Sequence, residues 1–199
     1  MGQFMPPQAA ADADRLAALD AYGILGTGPG AEFDGIVLLA RTLCAAPTAL
    51  ISFVADDCQW FKARSGFGPT HTPLSQSVCA HALRQSSLLI IPDMTADPRT
   101  SRNTLVTGQE GLRFYAGAPL RTSDGYALGT LCILDTVPRP DGLTQEQAEG
   151  LRLLALQVMA LLELRREMTA AKAEVVSLRE KLAGSFPAFL SSRIADRNS

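Results

Sequence analysis

Cys79 and His81 stand two positions apart in the run "SVCAHAL" at residues 77–83. A thiol and an imidazole this close suit three chemistries: a nucleophile with its base, part of a metal site, or a redox-active thiol. The spacing weakens the first, because residues two apart on a helix point in different directions and do not face each other. A metal or haem site has only His71 and His81 to draw on and no clustered set of ligands. The cysteines Cys44, Cys58, Cys79 and Cys132 lie far apart and form no CxxC pair, so zinc-ribbon and thioredoxin-like sites are not expected. Cys44 and Cys132 read as core thiols, and Cys79 with His81 reads as the wall of a pocket.

Other residues suit such a pocket. Trp60, Phe61, Phe114 and Tyr115 offer a half-apolar lining, and Lys62, His81, Asp93 and Arg113 a few oriented polar groups. In "RFY", a strand would put Arg113 and Tyr115 on one face and Phe114 on the other. Arg beside Tyr suits a carboxylate or phosphate. The formal net charge of −2 argues against general nucleic-acid binding. Between Trp60 and Arg121, however, seven basic residues face three acidic ones, which favours a small ligand carrying an anionic group.

The elements that must hold these residues can be read from period and punctuation. "ADRLAALDAYGIL" has helical spacing and stops at Gly23, and "AEFDGIVLLARTLCAA" is an amphipathic helix ended by Pro47. "TALISFVADD" and "CQWFKARSG" form a hairpin. "SQSVCAHALRQSS" is a short helix with Ser75 as its N-cap. "LLIIPD" is a short buried strand, and "MTADPRTSRNTLVTGQEG" a long polar loop. "LRFYAGAPL" and "YALGTLCILD" flank "RTSDG", whose Asp-Gly pair marks a second hairpin. From Thr144 the chain reads as helix up to Gly184. At least five strands, mostly in hairpins, with helices before, between and after them, make an α+β domain on one antiparallel sheet. "GTGPG" follows no strand, so a dinucleotide fingerprint is excluded.

No apolar run approaches the ~20 residues of a membrane span, and no charged n-region with an apolar h-region opens the chain. A cytoplasmic protein with no resident cofactor is expected. In the last helix Leu161, Leu164, Met168, Ala171, Val175, Leu178 and Leu182 repeat at alternating spacings of three and four, the pattern of a coiled coil that needs a partner helix.

In this order, "RLAALDAYGIL", "QWFKARSGFG", "SVCAHAL", "IIPDMTADPRTSRNTLVTG", "LRFYAGAPLRTSDGYALGTLCILD" and "LTQEQAEGLRLLALQV" resemble the GAF domains of bacterial sensory proteins, in particular those ahead of histidine kinases, diguanylate cyclases and phosphodiesterases. The resemblance covers roughly residues 14–165. It implies a sheet of about six strands, a ligand pocket roofed by the middle helix and long loop on one face, and the first and last helices on the other, often as a dimer interface. The expected organisation is a flexible tail over 1–13, a sensory domain over 14–160, a coiled-coil signalling helix over 161–183 and a C-terminal tail over 184–199. After Leu182 the sequence carries no kinase, cyclase or DNA-binding motif, so the chain is expected either to be cut from a longer sensor or to act on a separate partner. The expected function is non-enzymatic: a homodimeric sensor of an anionic small molecule, with Trp60, Lys62, Cys79, His81, Asp93, Arg113 and Tyr115 as binding residues. Its output would be a histidine kinase or a cyclic-nucleotide enzyme. Two alternatives are a thiol enzyme of the free methionine-sulfoxide reductase type and a ligand-free dimerisation module. The reductases' sheet-borne cysteine would fall in "RFYAGAP", which has none. Bilin attachment, which in phytochrome-type domains uses Cys next to His, is disfavoured by the intervening Ala80.

Overall fold

The computed structural model describes the backbone of residues 13–195 and the side chains of residues 13–183. The tail expected over 1–13 lies, apart from Ala13, outside the described residues. The chain divides into two compact units, one ending at Leu162 and the other beginning at Glu163.

In chain order the elements are α1 (Ala13–Asp20), α2 (Ala31–Leu43), β1 (Thr48–Val54), β2 (Cys58–Ser65), β3 (His71–Pro73), α3 (Cys79–Ala82), β4 (Leu89–Ile91), α4 (Thr104–Thr107), β5 (Phe114–Arg121), β6 (Ala127–Asp135) and α5 (Gln145–Ala195). The six strands form one antiparallel sheet in the order β3-β2-β1-β6-β5-β4. The central strands "TALISFV" and "ALGTLCILD" are covered on both faces, which is why they read as nearly continuous apolar runs rather than an alternation. Phe33, Ile36, Val37 and Ala40 of α2, with Leu151, Ala155, Val158 and Leu162 of α5, pack on one face over Phe53, Phe114, Ala116, Leu131 and Ile133. Full burial of a ring such as Phe33, Phe53 or Phe114 contributes ~1.5–3 kcal/mol. The other face, carrying Leu50, Val54, Phe61, Tyr115, Cys132 and Leu134, is covered by α3 and by the segment from Met94 to Leu112.

Two local features aim side chains. A β-bulge interrupts the β1–β2 ladder: Ile51 pairs with Ala63 and Ser52 with Phe61, so Lys62 is the extra residue. The second is the start of α5, where Thr144 and Gln147 form a reciprocal capping box, each backbone N–H bonding the other's side-chain oxygen (3.1 and 3.2 Å).

Several local expectations shift. The short strand β3 was not read from the sequence, and its three residues, exposed but for Thr72, explain why. The short helix spans only Cys79–Ala82, and the hydroxyl that accepts one of its N–H groups is that of Ser77, from Ala80 at 3.1 Å, rather than that of Ser75, which lies in a 3-10 turn over Leu74–Gln76. The long polar loop contains α4, capped by Asn103 accepting from the Leu105 N–H at 2.9 Å. Helix α5 continues beyond Gly184 to Ala195.

Candidate functional site

Between the sheet and the α3–α4 layer lies a small cavity lined by Leu50, Gln59, Phe61, Phe67, Thr72, Gln76, Val78, Cys79, Leu105, Leu112, Tyr115 and Leu134. It is narrow: the centre of a water-sized molecule has only about 20 Å³ to move in, room for a water or two. Gln76 ties the roof together, its amide donating to the Thr104 hydroxyl at 2.9 Å while its carbonyl accepts from Asn103 at 3.1 Å. A second space, an open cleft of about 520 Å³, lies against β2 between Thr27, Pro29, Asp34, Trp60, Lys62, Arg64 and Thr70. Phe61 and Phe67, in edge-to-face contact at 5.5 Å, border both.

Beside the cavity six polar side chains meet in an otherwise apolar setting, of which Gln59, Cys79 and Tyr115 line it. Cys79 Sγ accepts from Gln59 Nε2 at 3.2 Å and lies 3.7 Å from Cys132 Sγ. Ser52 and Thr130, paired across β1 and β6, bring their hydroxyls to 3.2 Å. The Tyr115 ring lies along its own strand over Gly117, where an added Cβ would come within 2.7 Å of Cζ and collide with the hydroxyl. Glycine at 117 is what lets the phenol reach inward. The fully buried Tyr115 hydroxyl completes no hydrogen bond in this arrangement.

The electrostatics of the cluster follow from its contacts. Burial opposes ionisation of Cys79, but the polar groups around it, Cys132 first and then the nearby Ser52, Thr130 and Tyr115 hydroxyls, outweigh it and lower its pKa. The Cys132 thiol is held well above its ordinary value, by its bond to Cys79 and then by burial. Tyr115 is raised by burial and then by the two thiols. Cys44 and Cys58 have no comparable set of donors. Burial raises each to about 11, with Asp57 adding to the effect at Cys58.

The residues singled out in the sequence divide among three places. Cys79 and Tyr115 line the cavity. Trp60 and Lys62 lie at the open cleft: Trp60 stacks on Phe53 at 6.3 Å, and Lys62 donates to Thr27 Oγ1 at 3.0 Å and to the Gly28 carbonyl, with its ammonium 5.2 Å from the Phe33 ring centre. His81, Asp93 and Arg113 line neither space. Half-buried His81 sits near the Asp97–Arg99 ion pair, and its pKa is lowered by burial and then by Arg99, against Asp97. Asp93 accepts from the Thr95 N–H (2.9 Å) and hydroxyl (2.6 Å). Arg113 precedes β5 and donates to the Val106 and Leu112 carbonyls, both at 2.9 Å. Phe114, expected in the lining, faces the α2–α5 side while Phe61 faces the cavity. Gln59, Ser52 and Thr130 were not singled out, although strand alternation places Gln59 with Phe61 and away from Trp60. Among the described residues no group of three or more His, Cys, Asp or Glu is placed to hold a metal ion, and no helix is long and apolar enough to cross a membrane.

The family description "GAF domain" matches residues 11–162. The chain belongs to the GAF domain family. Members of this family are small-molecule-binding sensory modules, and the six-stranded antiparallel sheet is theirs. A cyclic di-GMP phosphodiesterase of Pseudomonas aeruginosa is 37% identical over 155 residues, 78% of this chain but 26% of that protein, so the chain spans about a quarter of that relative's length. Among solved structures, the GAF domain of an Acinetobacter phosphoenolpyruvate-protein phosphotransferase aligns with a TM-score of 0.56 at 14% identity, covering 77% of this chain and 93% of its own. A free methionine-R-sulfoxide reductase from Neisseria meningitidis, solved with its substrate, also reaches 0.56, at 16% identity over 83% of this GAF domain and 96% of the reductase. At these identities the likeness is one of fold.

Proposed function

We propose that this GAF domain is a non-enzymatic sensor that takes a small molecule into the cavity beneath α3 and α4. The observation that carries the reading is the cavity itself, an apolar wall with Gln59, Thr72, Gln76, Cys79 and Tyr115 converging on it. A ligand larger than a water or two must lift the roof. One fastening of the roof is Arg113, whose guanidinium holds the Val106 carbonyl of α4 and the Leu112 carbonyl. A ligand that displaces α4 frees this cation, which then meets the anionic group expected from the basic middle of the chain. Charge-assisted bonds of this kind are worth ~1.5–3 kcal/mol, so Arg113→Ala should weaken binding about tenfold or more. Arg113→Lys should recover only part of this, because a point charge does not reproduce the bidentate fork.

The signal is proposed to leave through α5 in a homodimer, to an output of the histidine-kinase or cyclic-nucleotide class. The phosphodiesterase relative, nearly four times as long as its matched segment, favours the latter. A cytoplasmic setting fits this reading. Native mass spectrometry of freshly purified protein tests it: a bound small molecule in one-to-one ratio is expected. The second reading, a thiol enzyme, is favoured by the 3.7 Å approach of Cys79 to Cys132. Turnover of free methionine sulfoxide that is abolished in Cys79→Ser would replace the sensor with the enzyme.

A further inference from the structure

We infer that Cys79 and Cys132 form a peroxide-reactive dithiol that closes to a disulfide across the floor and roof of the cavity. The inference is independent of the ligand proposed above. Cys79 opens α3 in the roof layer, and Cys132 sits mid-strand on β6, opposite Gly117 on β5 and Leu50 on β1. The two sulfurs are 3.7 Å apart in van der Waals contact, and each is completely buried among side chains rather than exposed to a bulky oxidised thiol. What reaches Cys79 is the narrow cavity it lines, whose space for a water or two also suits a hydroperoxide no larger than hydrogen peroxide.

The surroundings favour the thiolate. Gln59 Nε2 already donates to Cys79 Sγ at 3.2 Å. The Tyr115 hydroxyl, buried and without a completed hydrogen bond, has a donor to give, and a thiolate at Cys79 would accept it. The reaction balances in two steps. The Cys79 thiolate attacks one peroxide oxygen: an S–O bond forms, the O–O bond breaks, and the departing hydroxide takes up the proton that Cys79 released, giving water and a sulfenic acid. Cys132 then attacks the Cys79 sulfur: the S–S bond forms, the S–O bond breaks, and the hydroxide leaves as a second water with the Cys132 proton. Two thiols are oxidised by two electrons and one peroxide is reduced to two waters.

The chain supplies its own control. Cys58 is the more accessible thiol, only half-buried, but beside Asp57 and Asp56 it lacks the donors that activate Cys79. Accessibility alone predicts that Cys58 reacts first, and the geometry of the cluster predicts the reverse. The experiment treats the full chain with hydrogen peroxide at neutral pH, alkylates the remaining thiols under denaturing conditions, and maps peptides without reduction. The expected product joins the peptides of Cys79 and Cys132, with Cys44 and Cys58 still alkylated, and it forms about tenfold faster in the native protein than in urea. Cys132→Ser should stop at a sulfenic acid on Cys79 that dimedone captures, with Cys132→Ala as the second variant if the first unfolds by circular dichroism. Cys58 oxidised ahead of a still-reduced Cys79–Cys132 pair would overturn the inference, as would a pair that reacts only once urea has unfolded the chain.

Discussion

His81 shows how a single side chain acquires its properties from what lies above it rather than from its sequence neighbours. The imidazole is two residues from Cys79, yet it neighbours the Asp97–Arg99 ion pair and not the thiol cluster. Burial and then Arg99 lower its pKa, so the folded protein prefers the neutral ring. A group with a lowered folded pKa binds its proton more readily when unfolded. Its stabilising contribution is therefore complete above the unfolded value of ~6.5 and is lost as pH falls below that toward the folded value. Denaturant midpoints measured from pH 7.5 to 5 should fall more steeply for the wild type than for His81→Gln, and parallel curves would remove His81 as the cause. At this scale the sequence was partly legible. Cys79, read as pocket wall because its spacing from His81 defeats a facing pair, and Tyr115, named for its pairing with Arg113 in "RFY", both line the cavity, whereas His81 and Arg113 do not. Trp60 and Lys62 were assigned to the same pocket, but adjacent strand residues point to opposite faces, and Trp60 beside Phe61 is on the wrong one. Lys62 is turned by a bulge, a shift that appears only in the pairing of β1 with β2.

Among elements, the junction of α2 with the sheet depends on one residue that no motif marks. Arg139, in the segment between β6 and α5, donates to the Cys44 carbonyl at 2.7 Å and the Ala45 carbonyl at 2.9 Å. It also pairs with Asp135 at 2.7 Å and lies 5.0 Å from the Phe114 ring centre. The carbonyls it takes up are those left unpaired where α2 ends, at a turn in which Ala45 adopts a φ of 45°. Arg139→Ala should cost roughly 2–3 kcal/mol in equilibrium unfolding, because it leaves both carbonyls and a half-buried carboxylate without their cation. A loss within about 0.5 kcal/mol of zero, the size expected of an ordinary surface change, would show that water substitutes for the guanidinium. The helices, both hairpins and the strand "LLIIPD" were legible because each carries its own period and its own turn residues. The strand β3 and the helix α4 are the exceptions: they lie in polar stretches without an apolar run, and both are fixed by partners remote in sequence, β2 and Gln76.

For the molecule as a whole, two claims remain as proposals: that it pairs through α5 and that it senses through the cavity. Leu164, Met168, Val175, Leu178 and Leu182 are between 47% and 70% exposed in the single chain, so the apolar stripe has no cover among the described residues. If a second copy covers it, several large side chains per protomer contribute up to ~1.5–3 kcal/mol each. Two charges placed in the seam by Met168→Glu with Val175→Glu should then give monomers with the sheet intact, as read by light scattering and circular dichroism. A wild-type monomer at micromolar concentration would end the dimer proposal. The sensing claim is tested most directly by hydrogen–deuterium exchange on the protein as purified, compared with the same protein refolded from urea without small molecules. The account predicts slower exchange in the purified form over Leu74–Leu83 and Thr104–Leu112, the roof that a ligand would clamp, with α2 and the residues of the Trp60–Lys62 cleft unchanged. Protection confined to that cleft, or identical exchange in the two samples, would contradict it.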